Sequence, residues 1–264
     1  MNAVIPPVAA PLADTTTMPP SRVLGAYLAE ARSECLRYLR APSFMLPMTL
    51  FSTVFYLMFG VLLSHPGSDA SRYLLASYTA FGVMGPGLFG FGVSLAIERD
   101  GGLLTLKRAL PMPAGAYLLG KMVMAMLAAG LVVILLLALG FTVGGVVLDF
   151  PRVLAMLAVG MFGVLPFCAL GMLVGTLVKG QGAPGLLQLV YLPMAFLSGL
   201  WLPLSMLPKS LQWVAPIWPS YHLDRIALIV VGIAHEPVLP HLLVLAGFGA
   251  AFFALAARRL RQVG

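Results

Sequence analysis

Six stretches of this chain run past the roughly 20 residues a helix needs to cross a bilayer core without meeting a charged side chain. They are Ser43–Ser64, Tyr73–Ile97, Met122–Leu148, Val153–Val178, Gly180–Pro208 and Pro237–Ala257. No soluble fold of 264 residues has an interior large enough to hide all six. With 60% hydrophobic and 9% charged residues, the composition lies outside the globular range. The runs are leucine-rich and do not alternate, which excludes an outer-membrane barrel built from strands of ~10 residues with period two. The expected fold is an all-α integral membrane protein whose residues 42–264 form a six-span transmembrane domain.

The charges between the runs orient it. With the N-terminus inside, twelve of the sixteen Lys and Arg fall on the cytoplasmic side, and only Arg72, Arg152, Lys209 and Arg225 fall outside. Both termini are therefore expected in the cytoplasm. The net charge of +7 reflects this topology and contact with anionic lipid headgroups. Nucleic acid is not an expected partner, because no basic patch interleaved with aromatics lies outside the runs. Cys35 and Cys168 have neither disulfide-framework nor metal-site spacing.

Residues 1–20, rich in Pro, Ala and Thr, read as a disordered cytoplasmic tail without the basic start and apolar core of a signal peptide. Over 21–41, Leu24, Tyr27, Leu28, Ala31, Cys35 and Leu39 recur at helical spacing among Arg22, Glu30, Arg32, Glu34, Arg37 and Arg40. That pattern predicts an amphipathic helix lying in the membrane interface.

Two connecting segments are unusual. In the inner loop 98–115, Glu98, Arg99 and Asp100 end one run, Gly101-Gly102 allows a sharp turn, and LLTLKRAL gives about two helical turns before Pro111 and Pro113. A short helix held between two spans can be pushed from the cytoplasm; an ordinary positive-inside loop is the plainer account. In the outer region 205–235, Pro208, Pro216 and Pro219 break the chain repeatedly, and Trp213, Trp218 and Tyr221 suit the lipid–water boundary. Ile226–Ala234 is too short to span. This region reads as two short helices that dip into the outer leaflet and return, with a simple interfacial loop as the alternative. Gly82, Gly85, Gly87, Gly90 and Gly92 in the second span suit either tight packing or a bending helix that lines a path.

Chemistry is mostly excluded. Gly115–Met122 spells G-x-x-x-x-G-K-M, but Met122 replaces the Ser or Thr that would hold magnesium, and the motif enters a membrane helix, not a loop after a strand. The four histidines, His65, His222, His235 and His241, map to the outer side as solvated polar groups, with His222 and Asp224 within reach of each other. No catalytic or metal site is expected. The spans carry essentially no ionisable residue at midplane depth, unlike ion-coupled transporters.

The stretch Glu98-Arg99-Asp100 followed by GGLLTLKRALPMPAGAYLLGK resembles the inner loop of type-2 ABC exporter permeases, the membrane-spanning subunits of that family. LSGLWLPLSMLPKSLQWVAPIWPSYHL resembles the segment after their fifth span, and Asp100-Gly101-Gly102 departs from the usual Glu and Gly-Thr at that turn. The resemblance implies an exporter subunit of the bacterial plasma (inner) membrane that pairs with a second permease copy, as a likeness to homodimers suggests, and with two cytoplasmic ATPase subunits. Those subunits would bind ATP and magnesium, leaving this chain without a cofactor. It implies coupling through Glu98, Arg99, Asp100, Gly101, Leu106, Lys107, Arg108, Pro111 and Pro113. It places an outer gate at Trp213, Trp218, Tyr221, His222, Asp224 and Arg225, and a pathway along the first, second and fifth spans. Met84, Phe89, Gln188, Met194 and Phe196 are the expected lining or simply packing residues. A hydrophobic or amphipathic cargo, such as a drug, lipid or lipid-linked glycan, suits spans without charge. Glu98→Ala is then expected to uncouple transport without unfolding. A channel or secondary transporter would need an ion-binding residue or pore ring, and a membrane scaffold would not need the broken outer segment.

Overall fold

The structure is a computed structural model that describes residues 19–109 and 112–263; for Phe44, Arg108, Ala114 and residues 261–263 it describes the backbone alone. Every regular element among the described residues is helical. Helix α1 (Pro20–Leu39) precedes α2 (Pro42–Phe55), which continues as a π-helical stretch over Tyr56–Leu62. Next comes a column of α3 (Asp69–Gly85), π-helical Pro86–Val93 and α4 (Ser94–Asp100). After the short α5 (Leu103–Ala109) follow α6 (Ala114–Thr142), α7 (Phe150–Gly163), α8 (Leu165–Leu177) and α9 (Ala183–Leu197). Short α10 (Lys209–Val214) and α11 (Pro219–Val230) lead to the last helix, α12 (Val238–Val263).

Five stretches are long and apolar enough to cross a membrane: Met45–Leu62, Asp69–Asp100, Gly115–Thr142, Phe150–Leu177 and Val238–Leu260. The chain is a multi-pass membrane protein. The fifth apolar run is cut short. Its α-helix covers only Ala183–Leu197, 15 residues or about 22 Å, because Gly199 turns the chain at a φ of +83°. Beyond it, the segment expected as two short outer helices does contain α10 and α11.

The α3–α4 column is the centre of the molecule, with 89% of its apolar window buried inside the protein, against 6% for α12 at the edge. Pro86 lacks the N–H that an α-helix would use, and the wider π turns start at that residue and absorb the irregularity. Of the glycines expected either to bend this helix or to pack it, Gly82, Gly87 and Gly92 pack closely against neighbouring elements, while Gly85 and Gly90 do not. A Cβ on Gly92 would sit 2.7 Å from the Gly171 carbonyl oxygen, and one on Gly175 2.6 Å from that of Gly92. The small-residue pair Gly171 and Gly175 on α8 thus meets the column within one chain.

At the end of the column where α3 begins, three connections are stitched together. Gly67 N–H donates to the Gly144 carbonyl at 2.8 Å, the Ser71 hydroxyl donates to the same oxygen at 3.1 Å, and Tyr56 Oη lies 3.3 Å from Ser71 Oγ. Gly67 and Gly145 adopt φ of +78° and +62°, which other residues rarely tolerate.

Candidate functional site: a buried charge network beneath α5

At the opposite end, α1 lies across the start of α6. The approach is close because Gly115 and Gly120 have no side chain; a Cβ on Gly120 would meet Glu30 Cγ at 3.0 Å. On α1, Glu30 and Glu34 share one face through their i, i+4 spacing, and Tyr117 and Lys121 share the facing side of α6 for the same reason. Leu24, Leu28 and Leu39 remain exposed, so α1 turns its carboxylates toward the protein and its leucines outward.

Lys121 is fully enclosed. Its three ammonium protons have three acceptors: Glu98 Oε1 at 2.9 Å, Glu34 Oε2 at 3.1 Å and Ser94 Oγ at 2.9 Å. The Tyr117 hydroxyl donates to Glu98 Oε2 at 2.5 Å. Arg37 pairs with Glu34 at 2.5 Å and also with Glu98. Lys107 reaches down from α5 to pair with Glu30, lies 3.6 Å from Glu34 Oε1, and stands 4.5 Å above the Tyr117 ring centroid. Three carboxylates (Glu30, Glu34, Glu98) face three cations (Arg37, Lys107, Lys121), so the cluster is neutral. That balance is what permits charge at this depth, because each buried ion has partners that offset its desolvation.

The rest of the loop is tied to α8. Arg99 donates to the carbonyls of Gly175 at 3.0 Å and Val178 at 2.8 Å, satisfying acceptors left open at the helix end. Asp100 Oδ2 accepts the Gly180 N–H at 2.6 Å. The turn at Gly101-Gly102 is present, with Gly102 at φ +74°.

Glu98, Lys107, Arg99 and Asp100 therefore point into the protein or along it. The loop shows to solvent Asp100, Gly101, Gly102, Thr105, Leu106 and Ala109, with Leu106 62% exposed and Pro113 half-buried. Pro111 and the Arg108 side chain lie outside the described residues. The expectation that Glu98→Ala leaves the fold intact is corrected by this burial: removing Glu98 strips Lys121 and Arg37 of a shared counter-charge. Glu30, Glu34, Arg37, Tyr117 and Lys121 were not singled out from sequence as a site. The signal was there, in carboxylates four residues apart facing an aromatic and a lysine four apart.

At the far end, Trp213 is exposed, Trp218, Tyr221 and Arg225 are half-buried, and His222 and Asp224 are buried. His65 and His235 are exposed, whereas His222 and His241 are not simply solvated. His222 does not pair with Asp224; its Nδ1 lies 2.9 Å from His241 Nδ1 and its Nε2 2.9 Å from the Pro216 carbonyl. Of the expected lining residues, Met84, Phe89 and Met194 are inside the core, while Gln188 and Phe196 are open. Tyr191 stacks on Phe81 at 4.9 Å beside them.

This loop and the helices around it fall within residues 26–230, which match the model of the ABC-2 type transporter. The chain belongs to that family. It is 28% identical over 228 residues to YvfS of Bacillus subtilis (strain 168), named as a transport permease, a match covering 85% of this chain and 92% of YvfS. It is 29% identical over 182 residues to the inner membrane transport permease YhhJ of Escherichia coli (strain K12). That match covers 65% of this chain and 46% of YhhJ. The chain is thus a transport permease by family.

Proposed function

We propose that this permease is the membrane-spanning subunit of an ATP-driven exporter, and that the exposed rim of α5 is where a separate ATPase subunit docks. The observation that carries this reading is the path from α5 inward. Lys107 connects that surface helix to Glu30 and Glu34 on α1, and through Lys121 and Glu98 to α6 and the central column. A push on α5 is delivered to three helices at once through bonds that tolerate little independent movement.

In the full reading, Ala183–Leu197 is a short fifth span that brings the total to six, both termini are cytoplasmic in the bacterial inner membrane, and α1 rests in the interface with its leucines in lipid. Helices α10 and α11 dip into the outer leaflet as the gate, and a second copy of the chain completes a homodimer with two ATPase subunits that hold ATP and magnesium. The cargo is hydrophobic or amphipathic. Support comes from the aromatic surface of Phe51, Phe55, Trp201 and Phe196 between α2 and α9, and from an apolar cavity of about 700 Å³ bounded by α7, α8, α11 and α12.

The test is co-purification of a cytoplasmic ATPase with the wild-type chain and with Leu106→Asp. Leu106 is exposed, so the variant is expected to fold normally and lose the ATPase. Absence of an ATPase from the wild-type preparation would overturn the reading, and equal recovery with the variant would move the docking surface elsewhere.

A further inference from the structure

His222 and His241 join α11 to α12 through two hydrogen bonds and one ion-pair contact, whose protons can be counted. His222 Nε2 faces the Pro216 carbonyl, which only accepts, so this nitrogen carries a proton. His241 Nε2 lies 3.1 Å from Glu236 Oε1, a carboxylate that also accepts, so this nitrogen carries a proton too. Between the rings the two Nδ1 atoms stand 2.9 Å apart, which requires one proton and no more. The sum is three protons on four ring nitrogens. Two neutral imidazoles hold two between them, so the observed geometry holds one extra proton and one positive charge.

We propose that His222 and His241 form a single proton-binding site on the outer side, and that the bound proton fastens α11 to α12. The His241 ring faces Glu236, and the His222 ring faces the Pro216 carbonyl. Burial is the main influence holding His222 below its ordinary value, with the His241 charge acting the same way and the Pro216 carbonyl opposing both. The other charged groups nearby have their own places. Arg225 shares Glu236. The Tyr221 ring packs on both imidazoles. Arg152 of α7 stands beside Gly232 at the end of α11. Asp224 is turned to the other side of α11, where its charge acts on Tyr73 of α3. When the extra proton leaves, the two Nδ1 atoms face each other either as two lone pairs or at the expense of one of the outer bonds. One of the three links must break. If α11 is the outer gate, as proposed above, opening is favoured at higher external pH; the proton site itself does not depend on that assignment.

The full chain in lipid nanodiscs, labelled with 15N-histidine in a His65→Gln, His235→Gln background, reads the site directly. The expected result is that both rings report one shared protonation step, with a scalar coupling between the two Nδ1 atoms across the bridge at low pH. Two independent titrations near the ordinary ~6.5 would overturn the proposal, as would absence of the coupling. Hydrogen exchange over residues 219–230, corrected for the intrinsic rate at each pH, tests the fastening. Wild-type protection is expected to drop roughly tenfold on raising the pH through the shared step, the scale of one charge-assisted hydrogen bond. His241→Gln is expected to lose that pH dependence. A coupled pair with pH-independent protection would keep the proton site and overturn its fastening role.

Discussion

The two ends of this molecule solve the same problem in opposite ways. At the α5 end, three carboxylates and three cations are buried together, and each named carboxylate of the cluster has a cationic partner. At the α11 end, buried polar atoms are left without hydrogen-bond partners: Trp201 Nε1 and Trp218 Nε1. A satisfied network holds one arrangement firmly, whereas orphaned polar atoms lower the cost of leaving it. Under the proposal that an ATPase docks on α5, the difference is useful: the docked end would carry a load without yielding, and the far end would open.

The largest effect expected from breaking this contrast is at Lys121. Replacing it by Met keeps the volume but leaves Glu34 and Glu98 short of their shared counter-charge, a loss of about 3–5 kcal/mol. Thermal unfolding in detergent should show a large fall in Tm, and a Tm near that of the wild type would mean that the network contributes little to holding α1, α4 and α6 together.

At the far end a neutralising substitution should do the reverse. Asp224 is fully buried, and that burial pushes its carboxyl up to about 7, with the Ser77 hydroxyl and the Arg225 charge opposing. The folded value is above the unfolded one, so the stability this group contributes is complete below about 4 and is lost as pH rises to about 7. Each pH unit inside that window costs the wild type at most ~1.4 kcal/mol through this residue. Asp224→Asn should therefore match the wild type in acid and exceed it at pH 8, by about 2–4 kcal/mol. Denaturant unfolding at several pH values reads the crossing directly. A variant less stable than wild type at pH 8 would mean that the ionised carboxylate is well accommodated and the far end is not strained.

The sequence made the architecture legible where long physics applies. Runs without charge announce spans, and Gly101-Gly102 announces a turn that the structure contains. What it hid was pairing. Glu98, Lys107 and Lys121 read as cytoplasmic loop charges because a hydropathy window cannot see that α1 returns to cover them. Recognising the network required matching the i, i+4 pair Glu30 and Glu34 with Tyr117 and Lys121 across more than 80 residues of chain. His222 and Asp224, two residues apart, invited a pairing that a helix forbids, since such neighbours point to different sides. The fifth apolar run likewise looked long enough until Gly199 turned it.

The smallest of these effects tests what lies between the two ends. If the α3–α4 column connects a firm end to a yielding one, its contact with α8 must be rigid in the middle. Gly92 sits where a Cβ would be 2.7 Å from a backbone oxygen and 2.9 Å from the Gly171 Cα, and neither can rotate away. Gly92→Ala is expected to cost about 1–3 kcal/mol through overpacking. Gly85, seven residues earlier on the same column, is the control. Its Cβ would meet nothing closer than Met48 Sδ at 3.8 Å, and its φ of −56° suits any residue. Gly85→Ala should be neutral or stabilise by about 0.4–1 kcal/mol, through the lost freedom of the unfolded chain. Urea midpoints of the two variants, measured side by side, separate them. Equal costs at both positions would mean that the π-helical segment is sensitive to any added side chain, and that the rigidity lies in the column itself. A cost at Gly92 alone places it in the glycine-to-backbone contact with α8, the helix to whose end Arg99 also binds. The loop would then reach the centre of the molecule by two routes, through Lys121 into α6 and through Arg99 into α8.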